Sequence, residues 1–118
     1  MEIVSFELAQ KLKEKGFREK TFGFYLLLIK LPQYPLTYIT KNYNKEDDFY
    51  SAPTISQVLK WLRGKNIHLY TDIDNEGWYF EIKCLKTRFM VNTDFFERYN
   101  TYEQATLAGI KYTLDNLI

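Results

Sequence analysis

Two runs of alternating side chains flank the tetrapeptide Asp74-Asn75-Glu76-Gly77: Ile67-His68-Leu69-Tyr70-Thr71-Asp72-Ile73 before it and Trp78-Tyr79-Phe80-Glu81-Ile82-Lys83-Cys84-Leu85 after it. Period-two alternation sends successive residues to opposite faces of a strand. Asp at the first position and Gly at the fourth suit a type I turn. The spacing predicts an antiparallel hairpin. Its core face takes Ile67, Leu69, Ile73, Trp78, Phe80, Ile82 and Cys84. The other face takes His68, Tyr70, Tyr79, Glu81 and Lys83, joined by Arg88 and Met90 if Lys86-Thr87 turns the chain into a third strand, Arg88-Phe89-Met90-Val91.

Helices are expected on either side. Ser5 can cap a helix over 5–15 in which Leu8, Ala9 and Leu12 share a face, with Gly16 as its left-handed stop and Phe17 folding back onto Leu12. Thr54 with Gln57 forms a capping box ahead of Ile55, Val58, Leu59 and Leu62, and Gly64 supplies the stop. A second box, Thr101 with Gln104, opens a helix over about 102–117. There Leu107, Ile110, Leu114 and Leu117 make one stripe, while Ala105, Ala108, Gly109 and Tyr112 occupy the opposite side. Between the first two helices, Phe22 to Leu31 reads as a strand covered on both faces. Pro32-Gln33-Tyr34 then turns into a strand over 35–40. Residues 41–48 are polar and aperiodic, and the loop 41–50 is the expected mobile segment.

These elements make an α+β fold. At 118 residues the chain suits a single domain, residues 1–118, with about three helices packed on a largely antiparallel sheet and a helix-β-β-β-helix C-terminal part. Sixteen basic against fifteen acidic residues leave a net charge of +1, so no global field favours a polyanion or a membrane surface. One cysteine and one histidine exclude a disulfide framework and cysteine- or histidine-rich metal centres. The aromatic share is the outlying quantity, at 18%. No basic and apolar leader opens the chain. The apolar run to Leu31 is also far shorter than the ~20 residues of a membrane-spanning helix. Cytoplasmic residence without membrane contact is the expectation.

No constellation of catalytic residues emerges. Asp72-Ile73-Asp74-Asn75-Glu76-Gly77 matches the start of an EF-hand loop, but the position that must supply a bidentate carboxylate is Lys83, and the flanks are strands. Glu46, Asp47 and Asp48 are adjacent and cannot converge on one ion. His68 lacks an activated nucleophile, Cys84 is in phase with the core residues, and no glycine-rich loop is present to cradle phosphate. The catalytic, cofactor and metal sets are therefore empty, and the expectation is a protein that is not an enzyme. One surface stands out: Tyr70 and Tyr79 beside Lys83 and Arg88 have the makings of a base-stacking platform. The order helix, three strands, helix is that of a double-stranded RNA-binding domain, but Thr101-Tyr102-Glu103-Gln104-Ala105 lacks the lysines with which that family grips phosphates.

Several segments resemble a family of small proteins from phages and prophages of gut Bacteroides-type bacteria: Lys11-Leu12-Lys13-Glu14-Lys15-Gly16-Phe17, Ser51-Ala52-Pro53-Thr54 leading to Lys60-Trp61-Leu62-Arg63, Asn66-Ile67-His68-Leu69, Trp78-Tyr79-Phe80-Glu81-Ile82, Asn100-Thr101-Tyr102-Glu103-Gln104-Ala105 and Leu114-Asp115-Asn116-Leu117-Ile118. The similarity departs mainly at 24–31. It implies a genomic setting and no activity. The leading expectation is an accessory or adaptor protein that binds another protein, self-association included. The alternative is single-stranded nucleic-acid binding through Tyr70, Tyr79, Lys83 and Arg88.

Overall fold

Helix α1 (Phe6–Glu14) begins and ends as its sequence dictates. The Ser5 hydroxyl accepts the Leu8 N–H at 3.3 Å. At the other end Gly16, at φ +87°, sends its N–H to the Lys13 carbonyl (3.1 Å), and Phe17 sends its own to Leu12 (2.9 Å). This is a Schellman closure, and it buries Phe17. The computed structural model describes residues 3–35, 40–84, 89–92 and 97–118. Contacts gather into two compact units, Met1–Ser56 and Gln57–Ile118.

In the first unit α1 packs on a three-stranded antiparallel sheet of order β2-β1-β3, built from β1 (Gly23–Leu26), β2 (Ile29–Gln33) and β3 (Phe49–Ala52). Register pairs Tyr25 with Tyr50 and Leu26 with Phe49 across β1 and β3, and Leu26 with Ile29 across β1 and β2. Phe6 of α1 sits edge-on to Tyr25 and Tyr50, each at 5.5 Å between ring centroids. The buried Tyr25 hydroxyl donates to the Val4 carbonyl at 2.8 Å. Burial pushes its pKa up, and Tyr34 and Glu7 add to the shift.

The apolar run is where the fold departs from expectation. Residues 22–31 do not form one covered strand; the chain reverses at Leu27-Leu28, and the second half becomes β2, an edge strand with Leu31 69% exposed. The expected turn at Pro32-Gln33 therefore lies inside β2. A Lys and a Pro within a strand are the marks of an edge, where a charged side chain and a missing N–H discourage further pairing. Of the strand expected over 35–40, residues 36–39 lie outside the described residues, and Pro35 and Thr40 belong to no strand.

The polar stretch after Lys41 is held, not loose. It contains a 3₁₀ turn (Tyr43–Lys45) and runs directly into β3. Asn44 donates from its amide to the Phe17 carbonyl (2.8 Å) and accepts the Ser51 N–H (2.8 Å). The Lys13 ammonium reaches the carbonyls of Glu46 (2.6 Å), Asp47 (3.1 Å) and Phe49 (2.8 Å). Three acceptors match its three N–H bonds.

Helix α2 (Ile55–Gly64) buries Ile55, Val58 and Leu62. Its left-handed stop is Asn66, at φ +65°, two residues beyond the expected Gly64. Asn tolerates that conformation because its short polar side chain can hydrogen-bond locally.

The second unit is a three-stranded antiparallel sheet of order β4-β5-β6, from β4 (Ile67–Asp74), β5 (Gly77–Cys84) and β6 (Phe89–Asn92), with α3 (Tyr102–Asn116) packed on β5 and β4. The hairpin register is as expected, with His68 opposite Lys83 and Asp74 opposite Gly77. Ile67, Leu69, Phe80 and Ile82 are buried, whereas Ile73 is 53% exposed beside the turn. Asp74 Oδ1 accepts the Glu76 N–H at 2.9 Å, and Gly77 takes φ +134°. Helix α3 is buried along Ala105, Thr106, Gly109, Ile110, Thr113 and Leu114. A Cβ on Gly109 would stand 2.5 Å from a Leu69 methyl and 3.1 Å from Phe80 Cγ. The Thr106 hydroxyl donates to the Tyr102 carbonyl (2.8 Å) and meets the Thr71 hydroxyl at 2.7 Å, which must therefore be the donor in that pair.

Candidate binding surfaces

Alternation along β4 and β5 gathers Tyr70, Tyr79 and Lys83 on one face, with His68, Asp72 and Glu81. Arg88 lies outside the described residues. Register sets each tyrosine opposite an acid, Tyr70 facing Glu81 and Asp72 facing Tyr79, so the two rings are diagonal neighbours. Each ring also carries a cation. The Lys83 ammonium lies 5.5 Å from the Tyr70 centroid, and the Arg98 guanidinium 4.9 Å from that of Tyr79. His68 tilts against Tyr70 at 5.5 Å.

Arg98 is a residue the sequence reading missed. It grips Asp74 through Nε (3.1 Å to each carboxylate oxygen) and Nη2 (2.7 Å). That guanidinium, followed by the Glu76 N–H, brings the Asp74 carboxyl down to about 2. Arg98 arrives because Tyr99 pairs with Trp78 through two backbone bonds of 3.0 and 2.9 Å. Burial, with a Glu97 contact second, pushes Tyr99 up to about 12. Asp74 thus serves the turn and the arginine, while Asp72 Oδ1 accepts the Ile73 N–H at 2.8 Å. Among the described residues no group of three His, Cys, Asp or Glu side chains could hold a metal ion.

Next to this face is a cavity of about 340 Å³, lined by Arg63, Asn66, Ile67, His68 and Lys83. Helix α2 supplies Arg63, the left-handed turn Asn66, and the first and last thirds of β4 and β5 the rest.

A different surface forms in the first unit. The sheet face away from α1 holds Phe24, Leu26 and Phe49, with Ile29 beside Leu26. Phe24 stacks on the buried Tyr43 at 4.4 Å and on Phe49 at 5.4 Å. Lys30 is turned to the helix side, 5.8 Å from the Phe6 ring. Towards the hairpin tip the apolar surface grows bare: Leu28 is 92% and Ile29 45% exposed. Tyr34 packs on Phe22 at 5.6 Å and covers Gly23, where a Cβ would meet its ring at 3.0 Å.

The fold and these surfaces define an α+β protein with two small antiparallel sheets, one with a bare apolar face and the other with a polar aromatic one. No family model, no curated protein and no solved structure matches the chain. Among the described residues no helix is long and apolar enough to cross a membrane.

Proposed function

We propose that the chain is a non-enzymatic accessory protein acting through protein–protein contact in the cytoplasm, and that its first partner is a second copy of itself. In the setting implied by the phage and prophage resemblance, it would serve as an adaptor. The observation that carries the reading is the apolar patch of β1, β2 and their tip: Leu26, Leu27, Leu28, Ile29 and Leu31 beside Phe24 and Phe49. Full burial of one such aliphatic side chain contributes roughly 1.5–3 kcal/mol, and contiguous exposed patches of this kind mark contact surfaces. None of these seven side chains is charged, so two copies can face one another without repulsion. The net charge of +1 adds almost none. Lys30 and Pro32 on the edge favour a closed pair over a growing sheet.

Light scattering over a concentration series tests this. A dimer mass is expected at high concentration, and Leu28→Glu with Leu31→Glu should return the mass to the monomer with the circular dichroism spectrum unchanged. A wild-type chain that stays monomeric to about 1 mM, where even an association of about 4 kcal/mol would show, overturns it. Nucleic-acid stacking is the less favoured reading, because the rings of Tyr70 and Tyr79 already carry cations and face acids.

A further inference from the structure

Strand β4 keeps an open side. It is an edge of its sheet, with β5 as its one strand neighbour among the described residues. Trp78 turns both its N–H and its carbonyl to Tyr99, away from β4, so its pair with Ile73 is a non-hydrogen-bonded one. Alternation then points the N–H and C=O groups of Ile67, Leu69, Thr71 and Ile73 outward, away from β5. The Ile73 N–H is capped by Asp72 Oδ1 at 2.8 Å. Among the described residues no backbone bond takes the outward groups of Ile67, Leu69 and Thr71. An uncovered edge of this kind is a template for a further strand.

The depression lined by Arg63, Asn66, Ile67, His68 and Lys83 opens at the α2 end of the same edge. Its walls are almost wholly apolar, so the three basic side chains present carbon to it. Towards the turn stands the exposed Asp72, which no ion pair joins to a cation among the described residues. His68 and Asp72 share one face of β4, four positions apart.

We propose that β4 takes an extended segment of a partner protein as a further antiparallel strand, with an apolar side chain seated in the depression and a Lys or Arg, four positions before it, on Asp72. Residues directly opposite across two strands lie on one face, so the partner residues facing His68 and Asp72 reach the depression and the carboxylate. Main-chain bonds to Ile67, Leu69 and Thr71 supply the hold, and the two side-chain sites the selectivity. The cation belongs at the Asp72 end because Arg63 and Lys83 flank the other. This surface lies within Gln57–Ile118 and uses none of the residues assigned to self-association.

A ¹H–¹⁵N NMR titration of the full chain with the peptide Ac-Thr-Arg-Thr-Val-Thr-Phe-Thr-NH2 tests the proposal. Saturable shifts along residues 63–72 are expected, with the Leu69 and Thr71 amides becoming protected from solvent exchange. Replacing the peptide's Phe by Ala should weaken binding about tenfold. Asp72→Asn should weaken it about threefold, but leave a peptide with Gln in place of Arg unaffected. The variant's own spectrum reports its fold. N-methylation of the two Thr residues that flank Val should abolish binding, since it removes main-chain donors and keeps every side chain. Equal binding by the N-methylated peptide would mean that the depression takes a side chain without strand addition, and overturns the proposal. So do β4 shifts that grow with protein concentration alone, which would put a second copy on this edge, and the lack of any saturable shift up to about 2 mM peptide.

Discussion

Lys13 shows how much one side chain can organise. Its ammonium takes three carbonyls from a segment more than thirty residues away and lies 4.7 Å from the Tyr50 centroid. Hydrogen bonds to a charged group contribute about 1.5–3 kcal/mol, and partial exposure lowers that figure. Lys13→Met keeps the aliphatic stem and removes every donor. It should lower the unfolding free energy by about 1–2 kcal/mol in urea, and the Phe49 amide should exchange faster. Unaltered exchange would mean that Asn44 alone holds the segment. Asp74 makes the residue-scale case for pH. Its carboxyl, brought to about 2 by Arg98, binds its proton less readily in the folded chain than in the unfolded one. The resulting stabilisation is complete above the ordinary carboxylate range near 3.9 and disappears as pH falls through about 2. Asp74→Asn, which can keep the turn bond to Glu76, should flatten the loss of stability across that interval in urea titrations at stepped pH. A slope equal to that of the parent would show that the exposed pair contributes nothing.

At the scale of elements, α3 depends on closeness. Gly109 lets the helix backbone approach Leu69 and Phe80, and the Thr113 hydroxyl donates to the Gly109 carbonyl at 2.8 Å. Alanine would gain up to about 1 kcal/mol of helix propensity, but overpacking a filled core costs about 1–3 kcal/mol. Gly109→Ala should therefore lose about 1 kcal/mol in thermal or urea unfolding; a gain would mean that Leu69 simply changes rotamer. The same helix shows what a sequence can disclose. Thr101 accepts the Gln104 N–H at 3.1 Å, as the capping box requires, though Gln104 reaches back to the Asn100 N–H (3.1 Å), one residue earlier than expected. The Ser5 and Thr101 caps, the Schellman glycine and the β4–β5 register were legible because each is fixed by residues within a few positions. The β1–β2 reversal was not, since Leu27-Leu28 carry no turn chemistry and a ten-residue apolar run looks like a buried strand. Only Lys30 and Pro32 hinted at an edge. Arg98 was equally hidden. Its place depends on which distant residue the chain returns to the hairpin, and no periodicity records that.

For the whole molecule, the two surfaces make separable demands. The apolar face draws only on Met1–Ser56, and the hairpin face with its cations and acids only on Gln57–Ile118. They share no residue, and their chemistry is opposed: one is uncharged and gains from salt that strengthens apolar burial, the other is charged and is screened by it. Perturbations at sites with no shared partner add to within about 0.5 kcal/mol. Leu28→Glu with Leu31→Glu should thus abolish self-association, whereas Glu81→Gln with Lys83→Gln should leave the association constant within about twofold of the parent. Light scattering over one concentration series on the parent and both variants checks the pair. Sodium sulfate should tighten the parent's self-association; a dissociation constant that rises with salt would mean that charged groups, and not the apolar face, hold the two copies together.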